Sequence, residues 1–144
     1  EGYREALRDG GIPLRKTLIK EGLFQKDRAF TATGELLRMK RIPSAIFVCN
    51  EPMVSGCILA LKEGRIRIPQ DIAVIGFDDP VWTAYMDPPL TTVSQPSYTM
   101  GILAFDYLLA QISENEKDRK YLEDVILKPT LVIRQSCASP SGHP

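Results

Sequence analysis

Asn50 and Asp78 each stand just past the carboxyl end of an almost wholly apolar run, residues 45–49 and 72–77. In an open parallel sheet the strand C-termini border the crevice where small ligands bind, so polar side chains at those two places form a candidate ligand site. Asp78 is followed at once by Asp79, but adjacent strand residues point to opposite faces, which argues against a paired general acid and base. One carboxylate can face a ligand while the other caps or anchors the loop that follows. Asn50 also has a structural alternative, as the cap of a helix starting near Glu51-Pro52, and the two roles are compatible. By spacing alone, Gln95 reads as an exposed loop residue and Phe24 as a hydrophobic staple beneath a helix starting near Asp27. A Ser-His-acid set, a metal-ligand cluster and a phosphate-cradling glycine loop are all missing from the sequence, and His143 lies in a Ser/Pro tail. The chain therefore carries no positive sign of an enzyme, and no cofactor is expected.

The elements that must position these residues follow from periodicity. Residues 3–8 read as the end of a helix stopped by Gly10-Gly11, and residues 17–19 as a short strand. Asp27 is expected to cap a helix reaching about Lys40, with Ala29, Phe30, Thr33, Leu36 and Leu37 on its apolar face. Residues 45–49 and 72–77 have the continuous hydrophobicity of strands buried on both faces. Between them Pro52 marks the start of a helix running to Glu63 and ended by Gly64, with Val54, Ile58 and Leu61 as its stripe. The alternation of strand and helix predicts an α/β fold, a parallel sheet flanked by helices. Residues 80–89 read as a loop rich in aromatics and proline, residues 91–93 as extended, and residues 97–112 as a long amphipathic helix. A charged connection follows over residues 113–120. Residues 125–127 and 131–133, separated near Pro129, read as one bent or paired strand before the loose tail 139–144.

Composition narrows the class. The 144 residues are 44% hydrophobic and 25% charged, the balance of an ordinary globular domain or part of one. Lys+Arg and Asp+Glu are equal at 18 each, so the chain lacks the electrostatic footprint of a nucleic-acid-binding surface. Cys49, Cys57 and Cys137 have no metal-like spacing and read as reduced, structural thiols, which suits a cytoplasmic setting. No stretch is long enough and apolar enough to suggest a membrane span. The sequence opens inside a helical pattern at Gly2-Tyr3-Arg4-Glu5, without Met, and is expected to be the carboxyl portion of something longer.

Three runs carry a family resemblance: Gly76-Phe77-Asp78-Asp79, Pro88-Pro89-Leu90-Thr91-Thr92-Val93-Ser94-Gln95, and Leu131-Val132-Ile133-Arg134-Gln135-Ser136. Together they resemble the ligand-binding region of the lactose-repressor/galactose-repressor family of bacterial transcription regulators. The resemblance implies a periplasmic-binding-protein-like effector domain, incomplete in this chain, with residues 1–93 and 121–138 in the second of two subdomains and 94–120 crossing to the first. It implies ligand contacts from Asn50, Asp78, Gln95 and Phe24, the last as an aromatic platform for a ligand ring. The family usually has Asn-Asp where this chain has Asn50-Glu51, one methylene longer. The resemblance further implies a small-molecule effector, most simply a sugar, and a homodimer formed by Val81, Trp82, Tyr85 and Met86 together with Met53, Val54, Cys57 and Ile58. For those last four residues, core packing is the competing reading. Operator DNA would be bound only through a helix-turn-helix that this chain lacks. A secreted sugar-binding component of a transporter is the alternative with the same fold.

Overall fold

The computed structural model describes residues 1–112 and 124–137. Among the described residues four strands form one sheet in the order β1 (Ala45–Val48), β2 (Ala73–Phe77), β3 (Thr91–Ser94) and β4 (Thr130–Val132). The first three run parallel, with Val48 beside Gly76 and Phe77 beside Val93. The last returns antiparallel, with Ser94 beside Thr130. Among the described residues four α-helices accompany them: α1 (Gly2–Asp9), α2 (Lys26–Leu37), α3 (Glu51–Glu63) and α4 (Ser97–Ile112). The expected α/β class and parallel central pairing are present, with one antiparallel strand added.

The core lies between α3 and one face of the sheet. Val54, Cys57 and Leu61 of α3 pack with Val48, Ile72, Val74 and Leu90, and all seven are buried. Burying each large side chain of this set contributes about 1.5–3 kcal/mol, which makes this layer the main source of the domain's stability. α2 packs against α3, and its Ala29, Thr33 and Leu36 are buried. The close approach depends on Gly56: a Cβ at that position would lie 2.1 Å from the Lys26 carbonyl oxygen, which no adjustment of a side chain could relieve.

Several expectations require correction. Residues 17–19 do not make a strand, because Lys16–Leu18 closes into a single 3-10 turn. Asp27 does not cap α2; Gln25 holds the cap position without a side-chain bond, and Asp27 sits in the first turn, where an acid still favours the helix dipole. That helix ends at Leu37 rather than Lys40. Strand β1 is not buried on both faces: Ile46 and Val48 turn to the core while Phe47 is 46% exposed, since α3 covers one face only. Cys49, expected within a buried run, is accordingly exposed. Residues 80–89 are not wholly irregular, for Val81–Tyr85 forms a 3-10 helix whose Thr83 is buried. Of the two late hydrophobic runs, only the second contributes a strand, Thr130–Val132, and residues 125–127 have none. The expected charged connection 113–120 and the tail 139–144 lie outside the described residues.

Candidate functional site

The sheet brings three of the predicted residues to one rim. With Val48 paired to Gly76 and Phe77 to Val93, the strand ends put Asn50, Asp78 and Gln95 in that order along the carboxyl edge. Neighbouring strands lie ~4.8 Å apart, so each residue stands about one strand from the next. Asp78 and Gln95 are in direct contact, the Gln95 Nε2 donating to Asp78 Oδ1 at 2.7 Å. The Asp78 backbone has φ +75, and its N–H donates to the Val93 carbonyl at 2.9 Å. Asp is among the few residues with a side chain that enter this left-handed region readily, and the turn it makes sends the following acid elsewhere.

Asp79 points into a separate, half-buried network. Arg134 grips it with two parallel bonds, Nη1 to Oδ1 at 2.7 Å and Nη2 to Oδ2 at 3.0 Å. The hydroxyls of Thr83 and Thr92 each donate to Asp79 Oδ1 at 2.8 Å. Arg134 also donates to the Leu90 carbonyl at 2.7 Å, so one side chain two residues past β4 ties together the loop after β2 and the start of β3. The guanidinium holds the Asp79 carboxyl at about 2, below the usual carboxylate range, and the two threonine hydroxyls act in the same direction. Asp79 thus anchors the loop, while Asp78 stands at the rim beside Gln95.

Asn50 caps α3, its Oδ1 accepting from the Met53 N–H at 3.0 Å. Its amide nitrogen takes no part in that cap, which keeps the capping and ligand roles compatible. Phe24 does not act as a staple: its ring is 76% exposed. Leu23 and Phe24 have consecutive positive φ values, +48 and +57, a conformation that side chains adopt at a cost and that commonly marks a functional turn. Gly22, just before them, is buried against Met53, where a Cβ would come within 2.9 Å of the sulfur. Met53 is the residue whose N–H Asn50 holds, so this contact sets the aromatic turn beside the start of α3 and near the same rim.

The residues expected at a dimer face divide sharply. Val54 and Cys57, at 2% and 1% exposure, belong to the core and have no surface to offer a partner, and burial pushes the Cys57 thiol up. Met53 and Ile58 are partly buried against that core. Trp82 and Met86 also pack on it, and the Trp82 indole donates to Glu51 Oε1 at 2.9 Å, so the aromatic-rich segment is not uniformly outward. Val81 and Tyr85 do face solvent, at 74% and 82%. Among the described residues there is no cluster of His, Cys, Asp and Glu able to hold a metal, and no helix is long and apolar enough to cross a membrane.

Sequence reasoning assigned no role to Arg134, Thr83, Thr92 or Ser136. The Ser136 hydroxyl accepts from the Thr91 N–H at 2.7 Å and donates to the Val74 carbonyl at 2.6 Å, pinning the segment after β4 across two strands. The available signal was the unexplained polar pair Arg134 and Ser136 at the end of an apolar run.

Comparison with known proteins agrees with this architecture. Residues 1–137 match the model of the periplasmic binding protein-like domain. The HTH-type transcriptional repressor PurR of Vibrio atlanticus (strain LGP32) is 37% identical over 135 residues, 94% of this chain and 40% of that protein. A putative transcriptional regulator LacI from Bacillus cereus subsp. cytotoxis superimposes with a TM-score of 0.86 at 26% identity, covering 99% of this chain and 49% of that one. The transcriptional regulator CelR in complex with cellobiose gives 0.77 at 31% identity, covering 94% and 41%. The chain spans about 40% of the length of the curated relatives it matches. The resemblance drawn from the three sequence runs is therefore borne out, and the chain belongs to the periplasmic binding protein-like domain family, in the form carried by LacI-family transcriptional regulators.

Proposed function

We propose that this chain is the carboxyl-terminal part of the effector-sensing module of a bacterial transcription regulator. Its ligand is a small hydroxyl-rich molecule, a sugar or sugar derivative, held by Asn50, Asp78 and Gln95 with the Phe24 ring as a platform. The observation that carries the reading is the Asp78–Gln95 bond on the carboxyl rim of the parallel strands, one strand from Asn50. An acid and two amides there suit hydroxyl groups, and an exposed ring suits the C–H face of a sugar. A similar protein bound to cellobiose supports the choice, and the relatives' descriptions as regulators favour this role over a transporter component or an enzyme. Residues 1–93 and 121–138 would form the second subdomain and 94–120 would cross to the first. Effector binding that prefers one cleft geometry shifts the angle between subdomains, and in a cytoplasmic homodimer that angle sets the spacing of two DNA-reading heads. A coupling of ~1–3 kcal/mol changes operator affinity ~5–150-fold.

Val81 and Tyr85, rather than the core residues Val54 and Cys57, are the assigned dimer contacts. Calorimetric titration of cellobiose and related sugars into the full-length protein tests the ligand assignment. We expect a sugar that binds the wild type to bind Asp78→Asn at least ~10-fold more weakly, because a hydrogen bond to a charged acceptor is lost. Unchanged affinity overturns the assignment.

A further inference from the structure

Resting on the ligand-rim reading above, we propose that Glu51 and Trp82 are positioning residues for the rim. Their hydrogen bond braces the two loops that carry Asn50 and Asp78 and sets the spacing between them. The ladder between β1 and β2 ends with Val48 beside Gly76. Past that pair the two segments leave the sheet, one through Asn50 into α3 and the other through Asp78 into the Val81–Tyr85 turn. The Trp82 indole donates to Glu51 Oε1 at 2.9 Å across this gap, joining residues 31 apart in the chain. Glu51 directly follows Asn50, and Trp82 lies in the turn that directly follows the Asp78 loop.

The two partners are unequal. The indole is fixed, because it packs on the core and its neighbour Thr83 is buried. Thr83 is itself held at both ends, its hydroxyl on Asp79 Oδ1 at 2.8 Å and its carbonyl accepting from the Leu90 N–H at 2.9 Å. Glu51 is exposed and is the first residue of α3. A fixed donor therefore restrains an exposed carboxylate, and with it the first turn of α3. That turn is where Asn50 Oδ1 accepts from the Met53 N–H, so fraying there releases the Asn50 side chain. A bond to a carboxylate is stronger than one between neutral groups, which suits a restraint at an exposed helix end. An acid in the first turn favours the helix dipole with or without the indole, so the bond acts on position more than on helix formation. The extra methylene of Glu51 over the family's usual aspartate is what extends the carboxylate to the ring.

The test uses the full-length protein. Hydrogen exchange of the Met53 amide, followed by NMR, reads the Asn50 cap without any ligand. Thermal shift with neutral mono- and disaccharides, cellobiose among them, selects a sugar whose affinity calorimetry then measures. Glu51→Asp keeps the charge and shortens the reach, Glu51→Gln keeps the reach and a carbonyl acceptor, and Trp82→Phe keeps a ring on the core and removes the donor. We expect Glu51→Asp and Trp82→Phe each to speed Met53 exchange and weaken sugar binding by about 3- to 10-fold, with Glu51→Gln changing both by less. The double variant Glu51→Asp/Trp82→Phe should lose no more affinity than either single change, because both cut the same bond. Urea denaturation should find the two Glu51 variants close to the wild type in global stability. Met53 exchange that ignores both Glu51→Asp and Trp82→Phe overturns the brace. So does a sugar affinity that falls in Asp78→Asn but not in Glu51→Asp, and the ligand rim then still stands. An affinity indifferent to Asp78→Asn, or a panel in which no sugar binds, overturns the rim reading itself and the positioning role with it.

Discussion

At the scale of single residues, the rim and its anchor make opposite demands on two neighbouring acids. Asp78 occupies φ +75, where a residue whose short polar side chain can bond locally is tolerated and alanine is not. Asp78→Ala should therefore lower stability by about 1 kcal/mol as well as remove the proposed ligand contact, whereas Asp78→Asn should leave stability nearly unchanged. Urea denaturation of the two variants separates the effects. Asp79 is a structural acid. Because its folded pKa of about 2 lies below the ordinary 3.8, the stability it contributes is complete above the ordinary value and is lost as pH falls through about 2. Its size is roughly 2 kcal/mol at neutral pH, at about 1.4 kcal/mol for each unit between the two values. Asp79→Asn should cost about 2–3 kcal/mol at pH 7, and its deficit against the wild type should shrink as the pH is lowered from 5 toward 2. Denaturant melts across that range read the effect directly; a deficit that stays constant would mean that Asp79 acts through packing alone.

At the scale of elements, the contact between α2 and α3 is the most demanding. Gly56 faces the Lys26 carbonyl with space for no side-chain atom, so Gly56→Ala must push two helices apart and should cost about 1–3 kcal/mol. Gly22→Ala meets only the flexible thioether of Met53 and should be milder in stability. It should nonetheless disturb the turn that exposes Phe24. Thermal denaturation of the two alanine variants, side by side, checks that order, and a larger loss from Gly22→Ala would contradict it. The segment Val81–Tyr85 shows why an aromatic-rich stretch cannot be treated as one surface. Its turn spacing directs Thr83 inward and Tyr85 outward, and holds Trp82 against Glu51.

For the whole molecule, the unpaired surfaces dominate. α4 has no buried residue, and Tyr98, Phe105 and Ile112 are 83%, 59% and 66% exposed. Among the described residues strand β1 stands at the sheet edge with one neighbour, and Phe47 on its open face is 46% exposed. Exposed apolar helix faces and unpaired strand edges favour association, so this chain by itself should self-associate. Light scattering at several concentrations tests this, and a monodisperse, cooperatively unfolding monomer would refute it. In the full-length protein the assigned dimer contact should be sensitive to Tyr85. Tyr85→Ala should cost ~2 kcal/mol of association with effector affinity per subunit nearly unchanged, as for a central aromatic at an interface. Trp82→Ala, by contrast, should lower the stability of the fold, because that ring packs on the core. Analytical ultracentrifugation and denaturation distinguish the two variants, and an unchanged dimer constant for Tyr85→Ala would remove this surface from the interface.

Local rules in the chain were enough to indicate the α/β class, the helix after Asn50 and the placement of Asn50 and Asp78 at strand ends, because hydrophobic period, capping residues and chain order express themselves over a few neighbouring positions. They also indicated that Asp78 and Asp79 point to different surroundings. What they could not supply were relations between distant residues. The Gln95–Asp78 bond, the Arg134–Asp79 anchor and the Ser136 pin join parts of the chain far apart, and depend on strand register. Burial was likewise illegible wherever it depends on what lies opposite: residues 45–49 have the composition of a strand buried on both faces, yet α3 covers only one. Val54 and Cys57 have side chains equally suited to a core or an interface, and only the packing of α3 against the sheet assigned them to the core. The exposure of Phe24 required two successive left-handed residues and a glycine against Met53, a backbone event that side-chain chemistry alone does not announce.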